Sequence, residues 1–327
     1  MKIAVLGAGS WGTALTIHLA RIGHEVLLWA RDPQVAGAIE SEKRHPRRHA
    51  DVPIPAVVRA TADLSKAFAH SDTVVLAIPC GSLRSVLDAG PSSSATRRFV
   101  STSKGIEPDT LMRMSEIIRD HHKHSPVAVL SGPTFADGVI RRDPTAAVVA
   151  DSGGIFAKEV QQNFSSPQLR LYTSDDLPGV EFCGALKNVV AIAAGIVTGL
   201  GFGHNTMAAL VTRGLAEIGR IVRGHGGQAR TVAGLAGIGD LLLTCTGQQS
   251  RNRRVGEQIG KGRRLAEVLA EMPEVAEGAR TCLAVPRLAG QVGVEAPIAE
   301  AVVSVLYENV PAATAVEGLM TRTLRAE

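Results

Sequence analysis

At 327 residues the chain is long enough for two domains and a large core. Hydrophobic residues make up 45% and charged residues 20%, a globular balance that excludes a disordered or fibrous protein. A net charge of +4 is too mild to argue for nucleic acid and favours an anionic small molecule.

An apolar run at 3–6 predicts a first strand. It closes on Gly7-Ala8-Gly9-Ser10-Trp11-Gly12, and a helix is predicted over 13–21. A G-x-G-x-x-G that leaves a strand and enters a helix is a dinucleotide fingerprint; a glycine-rich turn of another α/β fold is the alternative. Gly7 permits the tight turn, Gly9 lets backbone approach a pyrophosphate, and Gly12 brings the helix close to the strand. The helix N-terminus then offers its N–H groups to the anion.

Further strands are predicted at 25–29, 73–78, 98–101, 127–130, 146–149 and 169–172, with helical stretches between them. Several are continuously apolar, as strands covered on both faces are. The alternation predicts an α/β, Rossmann-like, doubly wound and largely parallel sheet. Near 177 the pattern changes. Helices are predicted at 181–198, 206–225, 265–272, 281–290 and 296–307, with a short one near the end. The expected organisation is a dinucleotide-binding domain over 1–180 and an all-α substrate-binding domain over 181–327. The longest apolar stretch, 189–203, is glycine-rich and reads as too short for a membrane span, so a buried helix at a domain junction is expected. Asn205-Thr206 reads first as a helix cap.

Cys80, Cys183, Cys245 and Cys282 are widely spaced and form no C-x-x-C pair or zinc spacing. Reduced thiols in a cytoplasmic protein, with no signal peptide and no metal, are expected. Asp120-His121-His122-Lys123-His124 reads as a frayed helix end rather than a metal site.

An acidic residue about twenty positions past the fingerprint would select NAD. Arg31 stands there instead. A guanidinium grips a 2′-phosphate through two parallel hydrogen bonds, which favours NADP. Asp32, the next residue, keeps NAD open. The basic run Lys43-Arg44-His45-Pro46-Arg47-Arg48-His49 reads mainly as a flexible, solvated loop, and secondarily as positive potential near that phosphate.

Four later segments combine residues unusually. Lys104 follows an apolar strand, where it would face a ligand crevice. Gly132, Thr134 and Ala136 lie just past another strand, as small residues lining an anionic pocket or as a plain turn. Lys187 and Asn188 sit inside a helix of apolar and tiny residues, where charge is rare unless paired or functional. A lysine is ordinarily protonated at neutral pH and can give a proton to a carbonyl oxygen as hydride arrives; a snorkelling lysine is the alternative. Asp240 and Thr244 are four apart and share one helix face, from which Asp240 could pair with a site lysine. Arg251 and Asn252 form a donor cluster suited to a phosphate. The run 251–254 lacks the interleaved aromatics of an RNA contact.

Together these segments resemble the bacterial-type NAD(P)-dependent glycerol-3-phosphate dehydrogenases. The resemblance covers essentially the whole chain. It rests on residues 7–12 with Trp11, Ser103-Lys104-Gly105, Ser131-Gly132-Pro133-Thr134-Phe135-Ala136, Gly184-Ala185-Leu186-Lys187-Asn188-Val189, Asn205-Thr206 with Thr212-Arg213-Gly214-Leu215, Gly239-Asp240-Leu241, Ser250-Arg251-Asn252 and Val275-Ala276-Glu277-Gly278. It implies reversible reduction of dihydroxyacetone phosphate to sn-glycerol 3-phosphate with NADPH or NADH, supplying phospholipid synthesis in the cytoplasm. It makes Lys187 the catalytic acid and base; from their spacing, Asp240 and Thr244 are expected to orient that lysine, with Thr244 also lining the substrate site. Lys104 then touches both cofactor and substrate, and Gly132 and Thr134 touch substrate. Asp240, Ser250, Arg251 and Asn252 form the substrate and phosphate pocket, with Arg251 also near the cofactor. Ser10, Trp11, Arg31, Ala136, Val275 and Glu277 match cofactor positions. Thr134, Gly138 and Met207 depart from the serine, glutamate and lysine or arginine common there. A homodimer through the helical half is expected. The rivals are a related hydroxy-acid or 2-ketoacid reductase and a non-catalytic cofactor sensor.

Overall fold

Aliphatic runs with β-branched residues become strands here because neighbouring strands and flanking helices cover both faces. The computed structural model describes residues 1–91, 96–272 and 276–324. Two compact units emerge: 1–104 with 113–177, and 105–112 with 178–327. The short segment Gly105–Met112 therefore clusters with the second unit, although it lies far upstream of the change in pattern near 177.

In the first unit the strands are β1 (Lys2–Leu6), β2 (Glu25–Trp29), β3 (Arg59–Thr61), β4 (Thr73–Leu76), β5 (Arg98–Ser101), β6 (Val127–Ser131), β7 (Thr145–Ala150) and β8 (Leu169–Ser174). Among the described residues they form one sheet in the order β3-β2-β1-β4-β5-β6-β7-β8. All pairings are parallel except β6 with β7. The order reverses at β1, whose neighbours are β2 and β4, so the crevice at the strand ends there is the switch point at which such sheets bind ligands. Helices α1 (Ser10–Arg21), α2 (Pro33–Glu42), α3 (Leu64–His70), α4 (Leu83–Asp88), α5 (Met114–His121), α6 (Ala136–Arg141) and α7 (Ile155–Phe164) connect the strands. Ile3, Val5, Leu28, Val75, Val100 and Leu130 are among its buried core.

The basic run 43–49 departs from the expected flexible loop. The Ile54 N–H donates to the Lys43 carbonyl at 2.8 Å, which closes the segment on itself. His45 is only 3% exposed, and both its ring nitrogens are hydrogen-bonded.

The second unit is helical. It comprises α8 (Leu177–Gly199), α9 (His204–Gly224), α10 (Ala229–Val232), α11 (Asp240–Thr246), α12 (Arg251–Gly260), α13 (Leu265–Glu271), α14 (Glu277–Thr281), α15 (Val285–Gln291), α16 (Pro297–Tyr307) and α17 (Ala312–Met320). The apolar stretch read at 189–203 falls largely within a longer helix, α8, whose 23 residues are long and apolar enough to cross a membrane by length and composition. Its most apolar window is 94% buried within the protein, which marks it as the core helix of this unit. The expected Asn205-Thr206 cap is also corrected. The cap is Gly203, and both residues lie in the first turn of α9.

Glu217 on α9 is buried, and its carboxylate accepts the N–H groups of Ile298 and Ala299 at 2.9 and 3.0 Å. It thereby caps α16 from another helix. Burial raises its pKa to about 7, against the opposing pull of those two N–H groups and of Arg220. The folded protein therefore holds a proton that the unfolded chain releases near the ordinary carboxyl pKa, and this stability is lost as pH rises through about 7. The melting temperature should fall between pH 5 and pH 8, and Glu217→Gln should flatten that slope; an unaltered slope in calorimetry would refute the assignment.

Candidate active site

The first unit presents a cofactor cradle. Gly7 holds φ +114°, and a Cβ there would lie 2.4 Å from the Ala77 carbonyl oxygen. At Gly12 a Cβ would lie 1.9 Å from the Gly7 carbonyl oxygen, so the start of α1 packs directly on the turn. A Cβ at Gly9 would meet nothing within 4 Å, leaving the room a pyrophosphate needs. Gly9 caps α1 with no side-chain bond, so Ser10, Trp11 and Gly12 open a helix whose N–H groups suit an anion. The chain thus fits a dinucleotide at this turn.

Arg31 is exposed just past the end of β2. Asp32 is committed elsewhere: its carboxylate accepts the Gln34 N–H at 2.9 Å, capping α2, and pairs with Arg47. The Gln34 N–H and then the Arg47 guanidinium hold this carboxyl below its ordinary pKa. Lys104 Nζ and Thr134 Oγ1 both donate to the Gly132 carbonyl at 3.2 Å, which gathers those three residues, and Ala136 begins α6 close by in sequence.

In the second unit Lys187 projects from the middle of α8 and is 6% exposed, with Asp240 at 1% and Thr244 at 4%. Its Nζ donates to Asp240 Oδ1 at 2.6 Å and to Thr244 Oγ1 at 2.7 Å. Thr244 in turn donates to the Asp240 carbonyl at 2.6 Å, so its hydroxyl receives the ammonium through a lone pair. A π-helical turn, Leu235–Gly239, leads directly into α11 and places Asp240 at its first position. Such turns are frequent at functional sites. Burial pushes the adjacent Cys245 thiol up to about 12, which keeps it unreactive.

A second polar knot lies on the same helix. Asn252 Nδ2 donates to Asn188 Oδ1 at 2.9 Å, while Asn252 Oδ1 accepts the Gly278 N–H at 2.9 Å. This amide joins α8, α12 and the first turn of α14, a tie that reading it only as a phosphate donor did not anticipate. Gly256 makes the approach possible, because a Cβ there would fall 1.9 Å from the Ile192 carbonyl oxygen. Ser250 caps α12 by accepting the Arg253 N–H at 3.2 Å, and Arg251 is exposed at the first helical position. Glu277 opens α14. Val275 lies outside the described residues. Met207 packs against the apolar core, which accounts for an uncharged side chain there.

Sequence reading missed His45. Its only signal was membership of a basic run, and its partners are remote in sequence. No group of three or more His, Cys, Asp or Glu among the described residues is placed to hold a metal.

Removing one member of the buried pair strands the other. Asp240→Ala should lower the unfolding free energy by about 3–5 kcal/mol in urea denaturation, whereas Lys187→Met with Asp240→Leu should recover most of it. An Asp240→Ala variant as stable as the parent would show that the pair is not desolvated.

The family model described as NAD-dependent glycerol-3-phosphate dehydrogenase N-terminus matches residues 2–161, and the corresponding C-terminus model matches residues 176–317. A glycerol-3-phosphate dehydrogenase [NAD(P)+] of Geobacter metallireducens is 48% identical over 330 residues, covering 100% of this chain and 98% of the relative. A protein of that name from Acidobacterium capsulatum is 46% identical, covering 100% and 99%. The crystal structure of glycerol-3-phosphate dehydrogenase from Coxiella burnetii superposes with a TM-score of 0.94 at 36% identity, covering 98% of this chain and 99% of that one.

Proposed function

Because the chain belongs to the NAD-dependent glycerol-3-phosphate dehydrogenase family, we propose that it reduces dihydroxyacetone phosphate to sn-glycerol 3-phosphate, reversibly, with NADPH or NADH. The observation that carries the mechanism is the buried Lys187 ammonium held between Asp240 and Thr244. A nicotinamide cofactor held by the fingerprint turn would supply the hydride for the carbonyl carbon, and would accept it in the reverse direction. Lys187 donates a proton to the carbonyl oxygen as negative charge develops there, and its neutral amine removes that proton in the oxidation. Asp240 and Thr244 fix Nζ throughout, so little reorganisation is needed at the moment of transfer.

The first unit is assigned to the cofactor. Gly7, Gly9, Ser10, Trp11 and Gly12 hold the pyrophosphate, and Ala136 lines the same face. Lys104, with Gly132 and Thr134, serves the substrate and touches the cofactor. In the second unit the start of α12, capped by Ser250, receives the substrate phosphate on Arg251, whose guanidinium offers paired N–H donors. Asn252 contributes by fixing α12 against α8 as well as by its remaining amide hydrogen. Arg251 and Glu277 also serve the cofactor.

NADP is assigned as the preferred partner. Arg31 stands where NAD-selective sites carry a carboxylate, and the engagement of Asp32 by Gln34 and Arg47 supports this reading. Four buried cysteines, widely spaced and without a C-x-x-C pair, support a reducing, cytoplasmic setting. The product feeds phospholipid synthesis. A homodimer through the helical unit is supported by α17, none of whose residues is buried, and sedimentation tests it.

Lys187→Ala should cut turnover by about 10²–10⁴ while NADPH affinity stays near the parent's. Retention of a tenth of the parent rate would defeat the acid–base role. Arg31→Ala should weaken NADPH far more than NADH in paired titrations; equal losses would overturn the 2′-phosphate assignment. Unphosphorylated dihydroxyacetone should turn over far more slowly than its phosphate, and equal rates would favour a different reductase.

A further inference from the structure

The basic run 43–49 has no part in the proton chemistry, yet it is tightly built. It lies in a loop, residues 43–54, closed by the Ile54 N–H on the Lys43 carbonyl at 2.8 Å. Inside the loop the Val52 N–H meets the His49 carbonyl at 2.9 Å, and Arg44 donates to the carbonyls of Ala50 and Asp51 at 3.1 and 3.2 Å. Compact loops whose ends meet hold their own shape and often carry function.

Lys43 fastens the loop to the Val58 carbonyl at 2.9 Å, and three further contacts land beside residues assigned to the cofactor. His45 Nε2 bonds the Ala8 carbonyl at 2.9 Å, and Ala8 stands between Gly7 and Gly9. Arg47 pairs with Asp32, the neighbour of Arg31. His49 Nδ1 reaches Asp137 at 2.9 Å, and Asp137 follows Ala136. The loop therefore spans all three stretches of the cradle.

His45 is the hinge pin of that arrangement. Its Nδ1 accepts the N–H groups of Arg47 and Arg48 at 3.1 and 3.0 Å, while Nε2 serves Ala8. Only the neutral ring protonated at Nε2 satisfies all three bonds at once. Burial lowers its pKa against the pull of the Ala8 carbonyl, and Arg48, Arg47 and His49 add in the same downward direction, so the ring keeps that form.

We propose that His45 is a positioning residue for cofactor selection: it latches the loop 43–54 to the fingerprint and so holds the Arg47 guanidinium on Asp32, beside Arg31 at the 2′-phosphate end of NADP. The proposal rests on reading the first unit as the cofactor site. Paired with Asp32, the Arg47 guanidinium neutralises the carboxylate next to Arg31, which removes a repulsion that a dianionic phosphate would feel strongly and a neutral ribose hydroxyl hardly at all. His45 touches neither ligand in this account; it acts through backbone on both sides.

Two isosteres divide the latch. His45→Asn places an amide oxygen near the Nδ1 position, keeping the turn at Arg47 and Arg48 but losing Ala8. His45→Gln reaches Ala8 but loses the turn. In calorimetric titrations of the full chain, His45→Asn, which loses one hydrogen bond, should weaken NADPH about five- to tenfold, and His45→Gln, which loses two, at least as much, while NADH weakens less than about twofold in both. Turnover at saturating NADPH and KM for dihydroxyacetone phosphate should stay within about twofold, because no acid–base group has moved. Parental NADPH affinity in both variants, or equal losses for the two cofactors, would overturn the proposal. A parent that binds neither cofactor would instead overturn the reading of the first unit. The parent alone gives an independent check: NADPH should slow tryptic cleavage after Arg47 and Arg48 more than NADH does, and equal protection would also overturn it.

Discussion

Burying an ammonium is the costliest decision in this molecule, and much of the second unit answers it. A lysine in the middle of an apolar helix needs an opposite charge and further hydrogen bonds to be tolerated. Asp240 supplies the charge and Thr244 the further bond, both from one helix face four residues apart. That requirement fixes where α11 starts and how it is turned about its axis. The same helix that carries Lys187 carries Asn188, whose amide fixes α12. Chemistry and packing are thus ordered by neighbouring residues on α8, one turned to each task.

The first unit solves a different problem, the close packing of backbone around a turn that leaves room for the proposed anion. Side chains are excluded where they would collide, as at Gly7 and Gly12, and also where nothing would stop them, as at Gly9. The two kinds of glycine look alike in sequence and differ only in what surrounds them. The sheet adds its own constraint. With β1 between β2 and β4, the turn after β1 opens at the reversal of strand order, and the end of β2 brings Arg31 and Asp32 beside it.

Legibility followed the range of the interactions. The α/β class and the helical second half were readable because aliphatic runs and their period report burial locally. The short β3, Arg59–Thr61, was not, since a three-residue strand with polar ends carries almost no periodic signal. The start of α9 was misplaced because Asn205 resembles a cap by type, whereas the chain turns into the helix at Gly203. Lys187 was conspicuous through contrast with its apolar neighbours, and Asp240 with Thr244 through their spacing. The double duty of Asn252 and the anchoring of His45 were invisible. Their partners Asn188, Gly278 and Ala8 lie 64, 26 and 37 positions away, and no local pattern encodes such pairings.

The π-helical turn at Leu235–Gly239 has a bearing on how chain length can vary in this protein. A π turn holds one residue more than an α turn spanning the same height. The extra residue is therefore absorbed inside the turn, and α11 keeps the phase that sets Asp240 and Thr244 against the ammonium. Losing that one residue would return the stretch to an ordinary helical turn with Asp240 and Thr244 still facing Lys187, whereas removing a residue from the regular part of α11 between them would rotate Thr244 by about 100°. The π turn is thus the place where chain length can change without disturbing the counterion.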